Sequence, residues 1–538
     1  MSMPSKLTAL YEDLALQSPL SSGTEETDAA HCNDFTVLLE LPPPQTLNNL
    51  LRIYFVEHNL FLPCVDQKRF EVKLLKTLLE KGYGRNCQAV KFSVGERSFG
   101  ALLCVILALA EFINPQEPFS EGDLLLSTDT GWSSWHQQAL LMLEPAHLVK
   151  RQGLDTIRFH LLEAMHLINK ERLAESSRTL VTGIDLAMRM GLNRQKTWET
   201  SDDSQNLERR TLWWALYYMD RKIAEKCSRP CFIRDTDVDV KDFSSVDASS
   251  TKPVGARTLT SRSWDLAYLQ TLVEWARLWG KMWDAFFAAQ ASGLGNVDEL
   301  EAMDARIQCV GRRLPSEVKW DTSLFQLSSQ SPEEELQSRA QLLTLIRFNL
   351  LRLNLRLNPL TKPSHDQYSI SFCGSLAIDT VNAVVTYLNK FPNVGQLGFF
   401  VTVALVECVC QLIPSIVMGV SQPNLDAAIR AVHDSQRILH VVSLRHGAAT
   451  RAAIALSQVF SIIGAWQNHT SPLNGQDLQF GTGSDTMTPS LFEFLCNGPG
   501  WNLESAQLPG MELDSSILKT FLQDSFPEIP QTRSDSQS

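Results

Sequence analysis

The residues best equipped for chemistry crowd into one stretch, Glu208 to Val240, which reads ERRTLWWALYYMDRKIAEKCSRPCFIRDTDVDV. Arg210 and Arg221 can lay guanidinium planes on Trp214 and Tyr217, or pair with Asp220. The strip Asp235-x-Asp237-x-Asp239 spaces its carboxylates in a way that suggests calcium. It lacks the glycine and the distal bidentate glutamate of the twelve-residue calcium loop. Cys227 and Cys231 flank Ser228-Arg229-Pro230 with no second cysteine pair nearby, which disfavours zinc. The segment therefore reads as a buried or half-buried helix whose charges need partners.

Other chemistry finds little support. No Gly-x4-Gly-Lys-Ser/Thr loop offers backbone amides to a phosphate, no His-Glu-x2-His places two imidazoles on one metal, and no Gly-x-Ser-x-Gly elbow presents a nucleophile. Asp202-Asp203 lacks the third acid of a magnesium–diphosphate site and reads better as an acidic helix start. Cys408-x-Cys410 lies in an apolar run and reads as packing; His433 and His440 stand two turns apart without further ligands. No catalytic residue, metal or cofactor is assigned.

The elements that must position the arginine–tryptophan stretch are helical almost throughout. Apolar periodicity predicts helices over 46–59, 67–82, 98–113, 134–150, 155–170, 172–190, 205–226, 263–291, 297–312, 333–357, 373–390, 397–419, 423–443 and 448–467. Leu173, Leu180, Ile184, Ala187 and Met188 form one stripe, and Gly191-Leu192 follows as a left-handed cap with its apolar partner. In 205–226 three faces carry apolar or aromatic residues, so that helix is buried on most sides. No run of alternating strand-like residues and no repeat of fixed period stands out. The expected fold is all-α, a large irregular assembly of stacked helical hairpins with disordered N- and C-terminal segments. Its parts are a loose segment over 1–44, a helical core over 45–243, helices over 264–468 continuing the same domain, and a mostly disordered tail over 469–538.

Composition narrows the function classes. The chain has 60 acidic against 48 basic residues, a net charge of −12, whereas a free-standing DNA reader shows a basic face that neutralises phosphates. Eleven scattered cysteines and a start without a signal-peptide pattern point to a reducing compartment. Gly398 to Val420 is long enough to span a bilayer. It carries Glu407 and Pro414 and lacks flanking cations, so it reads as a buried core helix and no membrane is expected.

The stretch from Glu208 resembles the signature of the fungal-specific transcription factor domain, the middle homology region found downstream of zinc binuclear clusters. Glu208, Arg209, Arg210, Trp213, Trp214, Asp220, Arg221, Arg229 and Pro230 match its pattern, while Ser228 replaces the usual glycine and Asp242-Phe243 stands where Leu-Pro is common. Leu51 to Phe70, Ala174 to Arg194 and Leu343 to Leu360 resemble further family segments in the correct order, so the likeness covers about 46–360. The resemblance implies a nuclear regulator of transcription, often of metabolic or secondary-metabolite genes. It assigns the signature residues a structural or regulatory role. Only Cys32 precedes residue 60, so the family's six-cysteine zinc cluster is not expected in this chain. DNA is then reached only indirectly, through a homo- or heterodimer with a zinc-cluster regulator, or through a missing N-terminal module. A small-molecule effector of unknown identity fits the same picture. A non-catalytic helical interaction scaffold is the alternative. In the tail, Leu513, Phe521, Leu522 and Phe526 alternate with acids over Met511 to Ile529, the composition of an activation segment or of a helix that docks on the core.

Overall fold

The structure is a computed structural model that describes residues 36–84, 87–113, 134–143, 153–198, 202–243, 264–291, 296–322, 331–356, 367–417, 422–444 and 446–470. The chain divides into two compact units, Met1–Ala465 and Trp466–Ser538; of the second, only the helical residues 466–470 are described. The acidic–apolar stretch with Leu513, Phe521, Leu522 and Phe526 lies outside the described residues.

The first unit is all-α, as the periodicity predicts. Its chain runs through α1 (Pro44–Ile53), extended by a π-helical turn (Tyr54–His58), then α2 (Gln67–Glu80), α3 (Arg97–Ile113), α4 (Ser134–Met142), α5 (Leu154–Asn169) and α6 (Leu173–Arg189). There follow α7 (Asp203–Cys227), α8 (Asp265–Met282), α9 (Val297–Arg313), α10 (Pro332–Arg356), α11 (Gln367–Lys390), α12 (Leu397–Val417), α13 (Gln422–Ser443), α14 (Gly447–Ala455) and α15 (Ser457–Thr470). Successive helices pack on one another as hairpins, α5 on α6, α6 on α7, α7 on α8, and again from α10 through α14. The cap after α6 forms as its glycine demands: Gly191 sits at φ +70, and Leu192 N–H reaches the Ala187 carbonyl at 2.9 Å.

Two departures have local causes. β1 (Val37–Glu40) and β2 (Ala89–Phe92) pair antiparallel with Val37 opposite Phe92, so a paired strand lies within the segment read as loose up to residue 44. β1 reads VLLE, which has no apolar–polar alternation to mark a strand. The helix expected over 448–467 is broken at Leu456, where Ser457 Oγ donates to the Ile454 carbonyl at 2.7 Å and competes with the helical ladder.

Among the described residues two helices, Tyr368–Lys390 and Leu397–Val417, are long and apolar enough to cross a membrane by length and composition. In the fold α12 packs against α11 and α13, and Glu407 accepts Lys226 Nζ from α7 at 2.9 Å. A carboxylate held by a lysine of a neighbouring helix is how a core helix accommodates an acid.

One buried node ties distant parts of the chain. Glu57, in the π-helical turn, accepts Arg339 Nη1 from α10 at 2.6 Å and the Gln396 backbone N–H at 3.1 Å. Arg339, 1% exposed, also donates to Glu335 at 2.7 Å and to the Tyr387 hydroxyl at 3.3 Å. Gln396 Nε2 donates to Asn169 at the end of α5 (3.0 Å), and His446 Nε2 donates to the Gly395 carbonyl (2.8 Å). Gly395 has φ +41 and lies so close to the Glu57 carboxylate that no Cβ would fit.

Buried imidazoles gather between α1, α3, α4 and α5. His58 Nε2 donates to the Leu109 carbonyl at 2.7 Å, and burial holds its pKa down to about 3. His166 has no hydrogen-bond partner on either ring nitrogen among the described residues and stacks on His136 at 5.6 Å; burial, then the charge of His136, pulls its pKa to about 3.

Glu57→Ala is expected to lower the unfolding free energy by up to about 3–5 kcal/mol, because it leaves the buried Arg339 guanidinium only Glu335 and the Tyr387 hydroxyl. Glu335→Ala, which removes a partly exposed partner, should cost less; urea denaturation distinguishes the two. A histidine held below its unfolded pKa of 6.5 takes up protons on unfolding between pH 6.5 and 3, so its contribution is lost as pH falls through that window. His166→Met should therefore lose less stability than the unsubstituted chain between pH 7 and pH 5, by about 2 kcal/mol.

Candidate functional site

The C-terminal half of α7 is a lock. Helix α7 begins at the N-cap Asp202, whose carboxylate accepts Ser204 N–H at 2.9 Å, and every residue from Thr211 to Arg221 is buried. Asp220, fully buried, accepts the backbone N–H groups of Phe232 (3.1 Å) and Ile233 (2.9 Å). Arg221 donates to Asp220 (3.1 Å), to the Ile233 carbonyl (2.8 Å) and to Asp235 Oδ1 (2.7 Å), with its guanidinium 3.5 Å from the Tyr217 ring centroid. The Tyr217 hydroxyl donates to the same Asp235 oxygen at 2.7 Å. These two adjacent charges thus hold the returning segment 231–235 against the helix that precedes it. Burial pushes the Asp220 carboxyl upward, opposed by those backbone amides and by Arg221.

The turn between them uses Ser228 at φ +47, a left-handed conformation that costs an L side chain about 1–2 kcal/mol. Arg229 stacks over Phe232 at 4.1 Å and its Nη1 lies 3.7 Å from Asp220; Pro230 is exposed. The alternating acids do not converge. Asp235 turns to Arg221 (2.7 Å), Asp237 to Arg234 (2.9 Å) and Asp239 to Lys196 (3.5 Å). Among the described residues no group of three or more His, Cys, Asp or Glu side chains could hold a metal ion.

The aromatic faces of α7 find partners that spacing does not reveal. Trp213 is wholly buried, while Trp214 Nε1 donates to the Lys241 carbonyl at 3.1 Å. The cation over Trp214 is Arg277 of α8, at 5.0 Å, rather than Arg210. Arg210 is half-buried near Asp242, its pKa lowered by burial, and Arg209 is half-buried. Tyr218 faces α10 and α8: its hydroxyl accepts Arg347 Nε at 3.0 Å, and Arg347 Nη1 donates to Tyr268 at 2.8 Å.

The N-terminal half of α7 opens on a cavity of about 440 Å³ walled by α2, α3 and α5. Glu208 is its α7 member. It accepts Arg69 from α2 at 2.7 Å, and its other oxygen accepts Arg158 from α5. Arg158 also donates to the Cys64 carbonyl (3.1 Å) and to Asp155 (2.8 Å), and Asp155 holds Lys73 at 2.6 Å. Arg158 and Lys73 hold the Asp155 carboxyl below the usual carboxylate range against the opposing effect of burial. Among the matched residues Glu208 stands apart from Asp220 and Arg221: it addresses the cavity, they address the return segment. The cavity residues Asp66, Arg69, Lys73, Asp155 and Arg158 escape sequence reading. Their spacings of three and four mark a common helix face, but nothing local shows that the faces of α2, α5 and α7 meet.

The family model for the fungal specific transcription factor domain matches residues 51–345, from α1 into α10. A search of curated proteins finds no match.

Ser228→Gly is expected to raise stability by about 0.5–1 kcal/mol, since glycine takes the left-handed turn without the Cβ clash. A shift of the thermal midpoint in calorimetry checks it; a lowered midpoint would mean that the serine side chain contributes more than its backbone strain costs.

Proposed function

The chain belongs to the fungal specific transcription factor domain family, and from that premise we propose that it acts in the nucleus as a regulator of metabolic or secondary-metabolite pathway genes. The carrying observation is the family match over 51–345, with the Glu208–Pro230 signature inside it. A net charge of −12 argues against direct neutralisation of DNA phosphates by these helices. In this reading DNA is reached through a zinc-cluster module, carried by a heterodimer partner or by an N-terminal module of the protein itself.

The division of labour in α7 supports a regulatory rather than catalytic role. Asp220 and Arg221 spend their charges on backbone and on one another, and bring no nucleophile or general base to a substrate. The acidic–apolar stretch around Leu513, Phe521, Leu522 and Phe526 is the proposed activation segment.

Chromatin immunoprecipitation of the tagged protein, with the 5′ end of its transcript mapped in the same cells, tests the reading. Discrete promoter enrichment is expected, and the mapped end tells an upstream zinc module from a partner. Absence of enrichment would sink promoter association.

A further inference from the structure

Helix α10 carries four arginines, and three of them meet carboxylates. Arg339 pairs with Glu57 at 2.6 Å and with Glu335 at 2.7 Å, Arg352 with Asp304 at 2.7 Å, and Arg356 with Glu301 at 2.9 Å. Arg347, 6% exposed, stands between them and pairs with no carboxylate among the described residues. Its acceptors are two phenols, Tyr218 of α7 at 3.0 Å and Tyr268 of α8 at 2.8 Å. Its Nη2 is buried with no acceptor among the described residues. Both phenol rings lie 5.5 Å from the guanidinium carbon, near the outer limit of a cation–π contact. A phenol offers a dipole where a carboxylate offers a charge, so the cation is solvated without being neutralised.

The helices around Arg347 are not equally tied. The other arginines clamp α10 to the π-helical turn after α1 and to α9. Helix α7 is fixed to α10 by Asn354, whose Nδ2 donates to Glu225 at 3.0 Å, and to α12 by Lys226. Among the described residues two hydrogen bonds join α8 to α10, and both end on Arg347. One is the Tyr268 contact, and the other runs from Trp275 Nε1 to the Arg347 carbonyl at 3.2 Å. One turn further along α8, the buried Trp279 Nε1 has no acceptor among the described residues. Where α8 meets α10, the polar groups are the least well met.

We propose that the seam between α8 and α10 is a built-in point of opening, at which α8 parts from α10 while the domain otherwise stays folded. The clamps on α10 and the Asp220–Arg221 lock remain closed. Tyr268, Thr271, Leu272 and Trp275, buried on one face of α8, become the newly exposed surface. Hydration of the Arg347 guanidinium offsets part of the apolar area lost, which sets this opening below global unfolding in free energy. An opening of this kind does not depend on whether the chain regulates transcription.

The test is thiol labelling of the full chain carrying Thr271→Cys, with the modified peptides identified by mass spectrometry. Thr271 is 2% exposed, so the introduced thiol reacts only when the seam opens. Cys104 in α3, 0% exposed, is the internal reference for global unfolding. Labelling at position 271 about tenfold or more faster than at Cys104 is expected. Replacing the whole polar group by apolar side chains, Arg347→Met with Tyr218→Phe and Tyr268→Phe, removes the charge that favours opening. The ratio of the two rates should then fall about tenfold or more, towards unity. The ratio is internal to each chain, so a change in overall stability does not imitate the effect. Equal labelling at both positions in the parent would overturn the proposal, because α8 then leaves only when the domain unfolds. An unchanged or larger ratio in the apolar variant would overturn it as well.

Discussion

A guanidinium taken out of water must be met by hydrogen-bond acceptors, and a carboxylate meets it best because it also neutralises the charge. Arg339 is such a group, and Glu57, 282 residues earlier in the chain, is the carboxylate that meets it. Because Glu57 also accepts the Gln396 backbone N–H, the ion pair joins the π-helical turn after α1, the N-terminal third of α10 and the entry to α12 at one point. Buried pairs of this kind are weak evidence for net stability. Their value here is registry: apolar helix faces can slide by a turn at modest cost, whereas a buried charge has one place where it is neutralised.

The same principle is applied a second time in α7, over a shorter span. Asp220 and Arg221 are adjacent, yet each reaches across the turn at Ser228 to the segment 231–235. The turn is made with a serine in a conformation suited to glycine, and the contacts on either side hold it there. Arg347 is the contrasting case. It is buried between two phenolic hydroxyls, Tyr218 and Tyr268, which are its hydrogen-bond acceptors, and it couples α7, α8 and α10 through them.

These locks leave α7 with two different ends. Its C-terminal half is engaged with its own return segment, and its N-terminal half faces a cavity through Glu208, which two arginines from α2 and α5 grip. Glu208 at the cavity and Tyr217, Tyr218 and Arg221 at the lock stand on one continuous helix.

The residue order alone determined the helices, because an apolar stripe of period 3.6 is written in any window of a dozen residues. It also determined the cap at Gly191, the burial of α7 on most sides, and the stacking of Arg221 on Tyr217, one turn away on the same helix. Short strands escaped, since four residues of β1 carry no readable period and their partner β2 lies some fifty residues on. Arg277, not Arg210, covers Trp214, and no spacing within α7 could disclose a cation from α8. The Glu57–Arg339 pair and the Glu208–Arg69 contact were decided only by the tertiary structure. Local pattern states which face of a helix seeks a partner; which partner it meets depends on how all the helices pack together, and a buried charge is satisfied only in that final arrangement.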